Sequence, residues 1–279
     1  MRNALSVDVE EYFHPAEICG AVRSENWDSL PSRVELQTDR VLDMLATRNI
    51  CGTFFVLGWV ADRHPKLIRR IAAAGHEIGC HSYAHRLVYD LTPLEFKQDT
   101  ERAVKAIEDA AGIVPRVYRA PSFSITSRSL WALEVLVECG FTHDSSIYPI
   151  QHDRYGIPGF SRHAQILNTA SGPIMEVPVA TARLPGDRVV PVGGGGYLRL
   201  LPYRYTAAGI RRINEDEDAP ACLYFHPWEL DPGQPRLAST WTSRVRTYAG
   251  MGSMAAKVAR LLRDFQFTTL AALHPAPAN

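Results

Sequence analysis

Cys51-Gly-Thr-Phe-Phe-Val-Leu57 is a run of strongly β-prone residues, and His76-Glu-Ile-Gly-Cys-His81 reads as a second strand. Between them Val60 to Ala74 carries a helical pattern. Pro65 suits a first helical turn, and Gly75 suits a C-terminal cap. The stretch is therefore strand, helix, strand, and the same alternation continues on both sides. Upstream, Ala4 to Val9 is a short apolar strand ending in acids, and Val34 to Thr47 has apolar residues at helical spacing. Downstream, Thr92-Pro-Leu-Glu95 is a helix start with a Thr cap, Pro at the first helical position and Glu at the third. That helix is expected to reach about Ala111, with Gly112 as its stop. Further strands are expected at 117–119, 141–144, 174–179, 221–225 and 267–270, and helices at 127–139, 204–214 and 244–264. Ser145 to Gly172 reads as irregular, Pro185 to Gly196 as Pro/Gly-rich with four consecutive glycines, and the tail from His274 carries no signal. Repeated β-α order implies a mainly parallel sheet with helices outside it, and seven to eight strands imply a TIM-like α/β barrel or near-barrel.

The whole-chain quantities set limits on this architecture. The 279 residues show no break in composition, which points to one domain over 1–279 with a core of about 4–270 and the 185–270 segment integrated into the barrel. Hydrophobic residues at 46% and charged residues at 22% are an ordinary globular balance. Thirty basic and thirty acidic residues cancel, which argues against nucleic acid as a partner. The five cysteines, Cys19, Cys51, Cys80, Cys139 and Cys222, are scattered and never form a C-x-x-C pair. They read as core or unpaired thiols of a reducing compartment rather than a disulfide or thiolate-zinc framework. Acids arrive at Asp8 before an apolar leader core develops, and no run approaches the roughly 20 apolar residues of a membrane span, so a cytoplasmic protein is expected.

In barrels of this type, functional residues gather where strands end. Asp8, His81, Arg119, Asp144 and His226 each lie at or just beyond the end of an expected strand. His81-Ser-Tyr-Ala-His85 would offer two imidazoles to one metal if the segment were helical, although isolated H-x-x-x-H spacings are often accidental. Asp8 and Glu10 face one side of a strand and suit metal binding or proton transfer; a plain polar strand end is the competing reading, and Glu11 should point to the surface. Arg119 can grip a carboxylate, as in a catalytic site or an ordinary structural ion pair. Pro121 stiffens the next loop, so the Phe123 N–H is a candidate oxyanion donor. His226 is either structural or catalytic, and Trp228 either lines a sugar site or packs. Gly193 to Gly196 lack the context of a phosphate loop and suggest flexible backbone beside a groove. Arg244, Arg246, Lys257, Arg260 and Arg263 read as a solvated helical face.

In order, these pieces resemble the polysaccharide deacetylases of carbohydrate esterase family 4, over residues 4 to 270. His81-Ser82-Tyr83-Ala84-His85 is similar to that family's H-[ST]-x-x-H motif, and Arg119-Ala-Pro-Ser-Phe123 to its Arg-Pro motif. Asp144-Ser145-Ser146 and the strand ending in His226 resemble the fourth and fifth motifs. The first motif departs from the usual adjacent aspartates, because Val9 follows Asp8 and the next acid is Glu10. Asp8-Val-Glu-Glu-Tyr-Phe13, Gly194-Gly-Gly-Tyr-Leu-Arg199 and His226-Pro-Trp-Glu-Leu-Asp-Pro232 resemble a branch associated with exopolysaccharide and exosortase loci.

The resemblance implies a distorted (β/α)₇ barrel and a hydrolase that removes N-acetyl groups from amino sugars of a polysaccharide or its precursor. It implies one divalent metal, zinc first among candidates, held by Glu10, His81 and His85. Asp8 would then be the base, Arg119 its positioning partner, His226 the acid and Asp144 the partner of His226. The Phe123 N–H would stabilise the oxyanion. Amino-sugar deformylases and metal-free ring amidohydrolases share the superfamily and are the alternative enzymes; a glycan-binding protein without catalysis is the alternative outside enzymology.

Overall fold

In a computed structural model that describes residues 1–18 and 21–277, eleven strands follow the chain. They are β1 (Arg2–Val9), β2 (Thr53–Val56), β3 (Glu77–Cys80), β4 (Val117–Tyr118), β5 (His143–Asp144), β6 (Gln165–Thr169), β7 (Gly172–Glu176), β8 (Thr181–Leu184), β9 (Arg188–Pro191), β10 (Cys222–Phe225) and β11 (Gln266–Thr268). Nine of them form one sheet in the order β10-β1-β2-β3-β4-β5-β7-β6, with β11 pairing Arg2–Ala4 of β1. Every pairing is parallel except β6 with β7. β1 is buried from Asn3 to Val9 on both faces, as a central parallel strand under helices must be.

The sheet curls into a half-barrel, as the alternation of elements implies. Its open side is partly bridged by the segment after β7. The Val177 N–H donates to the Asp144 carbonyl at 2.8 Å, and the Ala180 N–H donates to the Cys222 carbonyl at 2.9 Å. Outside lie α1 (Val34–Ala46), α2 (Gly58–Arg63), α3 (Pro65–Ala73), α4 (Pro93–Ala111), α5 (Trp131–Glu138), α6 (Gly195–Leu200), α7 (Tyr203–Asp216), α8 (Trp241–Tyr248), α9 (Met251–Asp264) and α10 (Leu270–Leu273). Val41, Leu45, Leu67, Ile71 and Ile107 on these helices bury against Val7, Phe54 and Ile78 of the sheet. Among the described residues, no helix is long and apolar enough to cross a membrane.

Several expectations are revised. The single helix over 60–74 is two, because His64 precedes Pro65 and is forced out of the helical region, at φ −126° and ψ 50°. The irregular stretch 145–172 contains β6, and the Pro/Gly-rich stretch contains β9, half of a hairpin with β8. Glu11 is buried, not superficial: its carboxylate accepts from the Ser32 hydroxyl and from the N–H groups of Arg33 and Val34, capping the start of α1. Lys257 is not part of a solvated face; it donates to the carbonyls of Leu198, Arg199 and Leu201 at 2.7–3.0 Å. Cys80 and Cys222 are buried and Cys51 and Cys139 are unpaired, while Cys19 and the last two residues of the tail lie outside the described residues.

The four glycines are a close approach rather than a flexible groove. Gly194 adopts φ 116°, and a Cβ there would collide with the Tyr224 carbonyl of β10; Gly193 similarly abuts Val179 and Ala180. Gly194→Ala is expected to destabilise the fold by about 1–3 kcal/mol from backbone strain alone, with the steric displacement adding to it. Chemical denaturation of the two proteins measures this.

Candidate active site

The C-terminal ends of β1, β3, β4 and β10 open on one cavity of about 280 Å³. Asp8, Glu10, His81, His85, His226 and Trp228 line its floor, and Tyr155 and Tyr197 stand on its wall. Asp8 is the penultimate residue of β1, and Glu10 lies one residue past it. His81 follows β3, but 81–85 is not helical. Ser82 and His85 take the left-handed conformation, at φ 64° and 53°, so the loop folds back and brings both rings together. The Ser82 Oγ accepts from the His85 N–H at 3.1 Å, and the Tyr83 N–H donates to Asp99 at 2.8 Å, which fixes that turn.

Ligand atoms of Glu10, His81 and His85 lie within 4.8 Å of one another, and all three residues are buried. The His81 Nδ1–H donates to the Arg119 carbonyl at 2.8 Å, leaving Nε2 with a lone pair toward Glu10. Burial pushes both imidazoles down to about 4, so they are neutral at physiological pH. Glu10 Oε2 and His85 Nδ1 are buried with no hydrogen-bond partner among the described residues. A buried carboxylate oxygen without a partner is costly, and a divalent cation between two imidazoles and a carboxylate removes that cost. The residues present fit such an ion.

Arg119 is fully buried inside the sheet. Its Nη1 donates to Asp8 Oδ1 at 2.8 Å and to Ser6 Oγ at 2.7 Å, and its Nη2 and Nε donate to the side chain and carbonyl of Ser145. Burial opposes ionisation of Asp8, yet Arg119, with His81 and His226, outweighs it and holds the carboxyl below its ordinary range. His226 faces Asp8 across the floor: its Nε2 is 3.1 Å from Glu10 Oε1 and 3.8 Å from Asp8 Oδ2. Burial disfavours the imidazolium, but Glu10 and Glu229 outweigh it and hold His226 well above its ordinary value. The Trp228 ring stacks on His226 at 5.1 Å.

Two expected roles move. Asp144 does not hold His226. Its carboxylate accepts from the Ser146 hydroxyl and N–H and pairs with Glu176, thereby shaping the turn that presents Ser145 to Arg119. The carboxylate on His226 Nδ1 is that of Glu229, at 3.0 Å. Sequence spacing carries a trace of it, because His226-Pro-Trp-Glu229 has the form of a capping box. The Phe123 N–H is also engaged, donating to the Ala120 carbonyl at 3.1 Å; Phe123 contributes its ring to the cavity instead. Arg199, Tyr155 and Tyr197 had no signal in the sequence as site residues.

Residues 26–142 match a family model described as polysaccharide deacetylase. Residues 145–274 match a second family, described only as a domain of unknown function. A peptidoglycan-N-acetylglucosamine deacetylase of Bacillus cereus is 34% identical over 98 residues, which are 35% of this chain and 36% of that protein. The chain thus matches about a third of that relative's length. Two solved structures share the fold over nearly the whole chain. One is a peptidoglycan N-acetylglucosamine deacetylase, with TM-score 0.53, 16% identity and coverage of 99% of this chain and 89% of the other. The other is an allantoinase, with TM-score 0.62, 17% identity and coverage of 98% and 91%.

Behind the site, burial and the adjacent Asp144 push Glu176 well above its ordinary value, and burial raises Asp144 as well. The Asp144–Glu176 pair therefore holds a proton that the unfolded chain releases above about 4.5. The folded state binds more protons in that window, so this contribution to stability is complete at acid pH and is lost as pH rises toward the elevated value. In Glu176→Gln the stability loss between pH 5 and 8 is expected to be smaller than in the parent, measured as Tm against pH.

Proposed function

We propose that this chain is a metal-dependent N-deacetylase that hydrolyses the acetamido group of an amino sugar in a bacterial polysaccharide or its precursor. The supporting observation is the gathering of Asp8 and His226 beside the Glu10–His81–His85 cluster within one cavity. The motifs around Gly194 and His226 favour the exopolysaccharide-associated branch, and 26–142 with 145–274 act as one catalytic unit because both supply strands to one sheet.

Glu10, His81 and His85 would hold the ion, which we take to be zinc from the two-imidazole, one-carboxylate donor set. When bound, the ion would supply Lewis acidity, lowering the pKa of water to roughly 7 and polarising the acetyl carbonyl. Asp8, ionised and held by Arg119, accepts the proton of the attacking water. His226, with a carboxylate at each ring nitrogen, carries two protons and delivers the one on Nε2 to the departing amine. Amines leave poorly unless protonated, which is why base and acid must face each other across the scissile bond. Tyr197 and Tyr155, the latter stacked on His152, line the wall against which a sugar would lie.

Acetate release from N-acetylglucosamine oligomers and peptidoglycan fragments, combined with metal analysis, tests this reading. Asp8→Asn and His226→Ala are each expected to reduce turnover by about 10² or more, measured on folded protein. Near-parental turnover in either variant would remove the assigned role. His81→Ala is expected to keep its fold and lose its metal; a stoichiometric ion retained in that variant would exclude the ligand set.

A further inference from the structure

The region of unknown function supplies a second buried arginine. Arg199, in α6, is 2% exposed, and Glu229 is fully buried. Arg199 Nε donates to Glu229 Oε1 at 3.0 Å. The other carboxylate oxygen, Glu229 Oε2, accepts from the backbone N–H and the ring Nδ1 of His226, both at 3.0 Å. Three more donors of Arg199 go to carbonyls at the end of α8: Thr247 at 2.7 Å, Ala249 at 2.8 Å and Arg246 at 2.6 Å. A cation suits that helix terminus.

The guanidinium is therefore fixed from several directions before it meets Glu229. The Gly193–Gly196 turn seats α6 against β10, the α8 carbonyls fix the fork, and Lys257 binds the last carbonyls of α6. A planar fork with four bonds leaves Glu229 one orientation, and Glu229 accepting two bonds through one oxygen leaves the His226 ring one rotamer. That rotamer turns Nε2 toward Asp8 and Glu10.

We propose that Arg199 is a positioning residue for His226, acting through Glu229, and that building this support is the function of the 145–274 region. The role rests on the deacetylase reading for its kinetic consequence but not for its structural one. Arg119 and Ser145 hold the base from one side of the barrel, and Arg199 and Glu229 hold the acid from the other.

Two readouts test it. In the intact protein the His226 Nδ1–H is expected as a downfield proton resonance, assigned by its absence from His226→Gln. It should disappear or move in folded Arg199→Ala and in the isosteric Glu229→Gln, which serves if the first variant fails to fold. An unmoved resonance in a folded variant overturns the proposal, whether or not the protein deacetylates anything. The second readout compares an N-acetyl amide with 4-nitrophenyl acetate, whose phenolate departs without a proton. The ratio of amide to ester turnover is expected to fall at least tenfold in Glu229→Gln and in Arg199→Ala, with KM for the amide little changed. Equal losses on both substrates would reduce Arg199 to a structural residue. A parent protein that shows the resonance yet releases no acetate would sink the deacetylase reading and leave the positioning role standing.

Discussion

The charge of Arg119 at the centre of the half-barrel is the constraint around which the site is arranged. A guanidinium sealed from solvent is tolerable only when its donors are matched by acceptors and its charge by an anion. Ser6, Asp8 and Ser145 provide that, and Phe55 lies under the cation with its ring centroid 4.2 Å away. Removing one member of such a buried pair typically costs about 3–5 kcal/mol, far more than a surface ion pair is worth. Asp8 is therefore held for two reasons at once, as the counter-ion of the core and as an ionised carboxylate facing the cavity. Its position at the end of β1 couples the site to the strand on which the sheet is built.

Much of this was legible in the sequence because local rules sufficed. The Thr92 capping box, Pro65 at a helix start and Gly112 as a left-handed stop all occur where the residues indicate. Five polar residues at strand ends point to one mouth because parallel strands under helices share a direction; three of the five line the cavity, and Arg119 reaches it through Asp8. What was not legible depended on contacts between residues far apart in the chain. Asp144 and Glu229 are both carboxylates near strand ends, and spacing alone does not say which one reaches His226. The β6 strand was missed because an antiparallel edge half-exposed to solvent lacks the apolar run of its neighbours. The 81–85 pair was expected to converge on a helix and converges through two left-handed residues instead, a geometry that only the Ser82 hydroxyl hints at.

The boundary between the two matched families falls at β5, between two groups of cavity-lining residues. The segment that matches the polysaccharide deacetylase model carries His81, His85 and Arg119. The segment beyond it carries His226, Glu229 and Arg199. β1, which lies before either match, contributes Asp8, with Glu10 just after it, and is hydrogen-bonded to both segments through β2 and β10. The cavity is thus a seam rather than a pocket within one half, and neither half has the complete set of side chains alone.

The pairing of β1 also bears on how the molecule comes to exist during synthesis. Ala4 pairs with Cys222 and Arg2 with Gln266, contacts that span most of the chain. Closing loops of that length is entropically expensive and slow. Until β10 and β11 have been made, one edge of β1 has no strand to meet and Asp8 has half its surroundings. The nascent protein must carry an unpaired, apolar edge on β1 until β10 has been made, the kind of surface that aggregates or recruits chaperones.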